Sequence, residues 1–123
     1  MSVPMANDRN AESLVPLQPA VFHILMALAD EDRHGYGIIQ EVLSRTGGEV
    51  RLSPGTLYRS IQRMLDDDVI VEINERPAPE LDDERRRYYR ITAFGRAVAR
   101  AEANRLHELV RLARASGFHA RKA

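Results

Sequence analysis

Between Leu17 and Ala29 apolar residues fall at Val21, Ile24, Leu25 and Leu28, the three- and four-residue spacing of a helix, and Phe22 and Met26 widen the stripe past one face. A helix that is apolar on two sides serves two interfaces. After a charged turn from Asp30 to Arg33, Tyr36, Ile39, Val42 and Leu43 predict a second helix over His34 to Thr46. Gly47 and Gly48 stop it, because glycine takes the left-handed conformation of a helix end without steric cost. Glu49 to Leu52 reads as a short extended strand. Ser53 then offers an N-cap hydroxyl and Pro54 the first helical position, the one that suits proline, so a third helix begins there. Its apolar positions Leu57, Ile61, Met64 and Leu65 share one face. A step of 100° per residue puts Gly55, Arg59, Gln62, Arg63 and Asp66 on the opposite one.

Val69, Val71 and Ile73 alternate with more polar neighbours as strand residues do, and so do Tyr89 and Ile91 beyond a polar loop holding Pro77 and Pro79. The pattern is a hairpin with a long tip, about Arg76 to Arg85. Tyr88 and Tyr89 must point to opposite faces of their strand, and Tyr89, in phase with Ile91, is the expected buried one. Thr92 caps a last helix running to Ser116, where Gly117 ends it. Residues 1–16 lack periodicity and are expected to form a flexible arm that gains a helical turn on docking. Residues 17–92 then form one unit, and 93–123 a long C-terminal helix and tail. Helix, helix, short strand, helix, hairpin and long helix make a mainly α winged helix-turn-helix (an α+β arrangement) with a two-stranded hairpin as its wing.

At 123 residues, 44% hydrophobic and 29% charged, the chain has the size and balance of one ordinary globular domain. Cysteine is absent, which removes disulfides, thiolate catalysis and Cys-based zinc sites together. The longest apolar run, Ala20 to Ala29, is broken by His23 and is shorter than a bilayer span, and the first residues do not read as a secretory signal. A cytoplasmic protein without membrane contact is expected. The net charge of zero conceals an asymmetry: 7 basic against 16 acidic residues up to Glu84, and 11 against 2 beyond it. Either the basic part meets an anionic partner or the two parts compensate each other within the fold.

The third helix carries the candidate chemistry. Arg59 and Arg63 stand one turn apart with Gln62 between them, and Arg bonds guanine bidentately as Gln does adenine. Gly55 leaves the backbone N–H groups at the helix start open to a phosphate. On the hairpin, Arg85, Arg86, Arg87 and Arg90 cluster where the second strand begins, from which a wing reaches a DNA backbone or minor groove. The tip also holds Glu80, Asp82, Asp83 and Glu84, which repel phosphate. Either the Arg cluster at the base makes the contacts, or these acids pair with it. Enzymatic chemistry has no constellation behind it: His23, His34, His107 and His119 show no metal-ligand spacing, and no phosphate loop or nucleophile triad appears. No cofactor or metal is expected.

Three blocks resemble the PadR family of bacterial transcriptional regulators in order and spacing. They are L-x-x-L-A-D-E-D-x-H-G-Y-G-I from Leu25, S-P-G-T-L-Y-R-S-I-Q-R-M-L from Ser53 to Leu65, and D-E-R-R-R-Y-Y-R-I-T-x-x-G from Asp83 to Gly95. The resemblance covers about Leu17 to Ser116. It implies a winged-helix DNA-binding domain with a dimerising C-terminal segment, here a single helix as in the family's shorter members. It also implies a repressor of double-stranded operator DNA that a small-molecule effector can release. Tyr36, Thr56, Tyr58, Arg59 and Arg63 fall where the family meets DNA, and Arg86 and Arg87 fall on its wing. For Tyr36 a core position with a satisfied hydroxyl is the competing assignment. Members that bind flat aromatic drugs do so against tryptophan, and this chain has none. The class-different alternative is a winged helix whose Arg-bearing face binds an acidic protein.

As a helix, the stretch from Ala93 to Ser116 is about 36 Å long, against a radius of gyration of about 14 Å for a compact domain of this size, so part of it protrudes. Val98, Leu106, Leu109, Val110 and Ala113 recur along it near helical spacing. A second subunit is expected to cover them, with Phe22 and Met26 of the first helix as the surface it meets.

Overall fold

The computed structural model describes residues 10–73 and 87–119. Four helices, α1 (Pro19–Ala27), α2 (Gly35–Arg45), α3 (Pro54–Asp66) and α4 (Ala93–Ala115), surround three short strands, β1 (Arg33–His34), β2 (Ile70–Ile73) and β3 (Tyr88–Ile91). The strands form one antiparallel sheet in the order β1-β3-β2, with Ile70 opposite Ile91 and Arg33 opposite Tyr89. This is the mostly helical winged helix-turn-helix that the periodicity predicts. Ile24 and Leu25 of α1, Ile38 and Val42 of α2, Leu57, Ile61 and Met64 of α3, and Ile70, Tyr89, Ile91 and Val98 close a single core. Burial of Tyr89 rather than Tyr88 follows its phase with Ile91.

Four details depart from the sequence pattern. Residues 49–52 form no strand; the short strand is Arg33–His34, where a charged turn is expected. Two residues are too few to show a two-residue alternation, and what recruits them is β3, whose free edge pairs with them. The sheet therefore has three strands, not two. In α2 the core-facing residues are Gly35, Ile38 and Val42, while Tyr36 is 61% exposed. That shift of phase brings a glycine, not a tyrosine, against α3. In β2 Ile70 faces the core and Val71 faces out, because Val69 still belongs to the turn leaving α3, its N–H bonded to the Met64 carbonyl at 3.1 Å. Finally, within the stretch expected to be an arm, Ala11–Leu14 is a 3-10 turn packed against α4, and Leu14 touches the core.

The segment that joins this turn to α1 is fastened by a charge. Glu102, 3% exposed in the middle of α4, accepts the Leu17 N–H at 3.3 Å and both Nε (2.8 Å) and Nη2 (2.7 Å) of Arg105. The Arg105 hydrogen bonds outweigh burial and hold its carboxyl below the usual carboxylate range. Among the described residues no helix is long and apolar enough to cross a membrane.

Candidate nucleic-acid interface

The start of α3 is set by Ser53, whose hydroxyl oxygen accepts the Thr56 N–H at 3.1 Å. The Ser53 hydroxyl also donates to the Thr56 hydroxyl at 3.1 Å, so the Thr56 side chain is tied into the cap. With Leu57, Ile61 and Met64 buried beneath it, α3 turns Gly55, Tyr58, Arg59, Gln62 and Arg63 outward, all exposed. An apolar inner face thus holds a polar, cationic outer face at a fixed angle to the domain.

The outer residues are not equally available. The Arg59 guanidinium folds back over the helix start, its Nη1 3.3 Å from where a Cβ on Gly55 would stand. There it reinforces the positive end of the helix dipole. Gln62 donates through Nε2 to Asp66 Oδ1 at 3.1 Å and has to release that carboxylate to offer both amide atoms to an adenine. Arg63 leans towards a cleft at the far end of α3, lined by Leu14, Leu17, Val21, Met64 and Val69.

A second group stands where α2 meets α3. The His34 imidazole caps α2, its Nδ1 accepting the Gly37 N–H at 3.1 Å, and its ring meets Tyr88 edge-on with centroids 5.3 Å apart. This cap leaves Tyr36 on the first turn, facing outward, which decides against a core role for it. Tyr58, 53% exposed, lays its hydroxyl against Gly35, the residue that precedes Tyr36.

On the wing, Arg85, Arg86 and the four acids of the tip lie outside the described residues. Arg87 is exposed, with Nε 3.5 Å from Glu72 Oε1. Arg90 instead makes a two-pronged pair with Asp32, at 3.1 and 2.8 Å, tying β3 to the turn before β1. That bond is structural. It also explains part of the charge asymmetry, since a basic residue of the second part neutralises an acidic one of the first. Within the sheet, burial pushes the Tyr89 phenol up, and the nearby Glu72 adds to the shift.

The seam expected for a second subunit needs one correction. Val98 is fully buried in its own domain's core and cannot belong to a surface. Beyond Glu102 the same face of α4 runs on past the edge of the core, leaving Leu106, Leu109 and Val110 exposed and Ala113 partly so. Leu112 and Phe118, which the periodic pattern did not single out, join them as exposed apolar residues. Leu112 could have been found from its three-residue step beyond Leu109. Phe118 follows Gly117, whose φ of 95° ends the helix, and its N–H returns to the Ala113 carbonyl at 2.8 Å. Phe22 and Met26 of α1 are half-buried.

The family model described as "Transcriptional regulator PadR-like family" matches residues 24–101. Transcriptional regulator Rv3488 of Mycobacterium tuberculosis is 40% identical over 89 residues, which is 72% of this chain and 77% of that protein. A transcriptional regulator from Clostridium thermocellum has a similar structure, with a TM-score of 0.66 at 22% identity over 76% of this chain and 84% of its own. RosR of H. salinarum gives 0.58 at 23% identity, over 79% and 77%. At such identities the two structures speak for the winged-helix fold.

Proposed function

The chain belongs to the PadR-like family of transcriptional regulators, and as such is a DNA-binding regulator and not an enzyme; from this premise we propose that it is a homodimeric repressor reading operator DNA through α3. The observation that carries the reading is the two-faced α3, buried through Leu57, Ile61 and Met64 and open through Gly55, Arg59, Gln62 and Arg63. In the major groove, Arg63 and Gln62 are the base readers, and Gly55 with Arg59 at the helix start is a phosphate contact. Tyr36 and Tyr58 flank the groove from the α2 side, and Arg85, Arg86 and Arg87 reach the backbone beside it from the wing. Thr56 acts through the cap that aims the helix.

Two such helices engage two half-sites only when held about 34 Å apart, one turn of DNA. A second copy, packing its own α1 surface at Phe22 and Met26 against Leu106, Leu109, Val110 and Ala113, sets that distance and covers apolar surface that α4 leaves open. Selection of bound sequences from random DNA tests the reading and supplies the operator. A two-fold-symmetric consensus whose half-sites lie one turn apart supports it, and repression of a reporter by that site completes it. With roughly three to five Arg on phosphates in each subunit, log K falls against log salt with a slope of about −5 to −9. A slope near zero removes DNA from the account and leaves a protein-binding winged helix.

A further inference from the structure

Gly35 is the first residue of α2, and it is buried. Its φ lies outside the left-handed region, unlike Gly47, Gly48 and Gly117, so conformational freedom does not require glycine there. Space does. A Cβ at Gly35 would stand 2.5 Å from the Tyr58 hydroxyl oxygen, 3.1 Å from Tyr58 Cζ and 3.2 Å from Leu57 Cδ2. Gly37, one residue from the exposed Tyr36 in the same turn, meets nothing closer than 3.5 Å. The closest contact is thus with Tyr58, a residue of the outer face of α3, and the buried Leu57 is the second neighbour.

We infer that Gly35 is a positioning residue for DNA reading: its missing side chain makes the notch into which the Tyr58 phenol lays its hydroxyl, holding the ring flat at the α2–α3 junction. The inference rests on the proposal that α3 enters the groove. A methyl group in the notch has to displace the hydroxyl by about 1 Å to reach ordinary contact distance. Inward movement is blocked by the buried Leu57 and by α2 itself. The ring, 53% exposed, therefore swings outward, toward the face that α3 presents to a duplex. Since the hydroxyl faces Gly35, removing it leaves the ring where it is and takes away the closest clash.

The test is a four-protein cycle of wild type, Gly35→Ala, Tyr58→Phe and the double variant, with Gly37→Ala as control. Binding to the selected operator is read by fluorescence anisotropy and folding by thermal melting. Gly35→Ala is expected to weaken operator binding about tenfold, the worth of one displaced contact. Gly37→Ala is expected to stay within about threefold of wild type; Tyr58→Phe sets its own reference level, whatever its hydroxyl contributes to DNA, and the double variant is expected to bind as Tyr58→Phe does. Gly35→Ala that binds like wild type, or a double variant that binds more weakly than Tyr58→Phe, overturns the inference. Should Gly35→Ala fail to fold, the double variant has to fold and bind; its failure is equally fatal. Melting without DNA tests the notch separately from the repressor reading, because Tyr58→Phe must recover stability lost in Gly35→Ala even if no DNA sequence is ever bound.

Discussion

A Cβ placed on Gly95 would stand 2.0 Å from the Val69 carbonyl oxygen, which already accepts the Thr92 N–H at 3.1 Å. The neighbour is backbone and cannot turn aside, so Gly95→Ala is expected to cost about 3 kcal/mol, read as a lower urea midpoint at unchanged slope. A variant as stable as wild type would show that the start of α4 can pull away from the sheet. Arg63 belongs to a different case, since nothing in the core depends on it. Arg63→Ala is expected to leave stability within about 0.5 kcal/mol, to weaken operator binding by about 1–3 kcal/mol and to relax preference at one base pair. A uniform loss across sequences would make it a phosphate anchor. At this scale the outward set of α3 was legible because the cap and the 100° step leave no freedom of phase. Tyr36 was not, because a tyrosine at helical spacing satisfies the apolar pattern whether it faces in or out.

Among the elements, α4 and the segment leading into α1 are tied together through Glu102 and the Leu17 N–H. Its carboxyl is held below the ordinary value of 4.5 in the folded protein. A carboxyl with a lowered folded pKa contributes stability that is fully present above its unfolded pKa and is lost as pH falls through the folded one. The stability gap between wild type and Glu102→Gln should therefore be widest at neutral pH and narrow below about pH 4.5, in urea titrations run at several pH values. A gap that stays constant into acid would mean that charge plays no part in the fastening. The sequence pattern located all four helices, since each has a stripe long enough to count and two, α3 and α4, begin at a capping hydroxyl. It missed Arg33–His34 as a strand and set β2 one residue out of phase. A two-residue strand has no period of its own, and whether Val69 still belongs to the preceding turn depends on a hydrogen bond to Met64.

For the molecule as a whole, the exposed end of α4 is the feature one copy does not resolve. Leu106→Asp combined with Leu109→Asp is expected to give a folded monomer whose operator affinity falls strongly, because a carboxylate buried in the seam has no partner there. Both positions lie beyond the core, so the variant should still melt cooperatively, at a temperature that no longer depends on protein concentration, while sedimentation changes from dimer to monomer. A double variant that still sediments as a dimer would place the contact elsewhere and sink the spacing of the two reading helices. Phe118, at 73% exposure the barest of the large apolar residues described, offers a milder probe of the same seam.

The order of elements, the caps at Ser53 and Thr92, the two faces of α3 and the family resemblance were all determined by the sequence itself. Each is a local rule of spacing or hydrogen-bonding groups within a turn or two of chain. The tertiary structure alone decided which apolar residues of α4 are core and which are surface, since Val98 and Leu106 differ only in whether the domain extends beneath them. It also decided that Arg90 serves Asp32, 58 positions away, and that Gly35 is required by the size of a neighbour on another helix. Such assignments depend on partners brought together from distant parts of the chain, and no periodicity along the sequence encodes them.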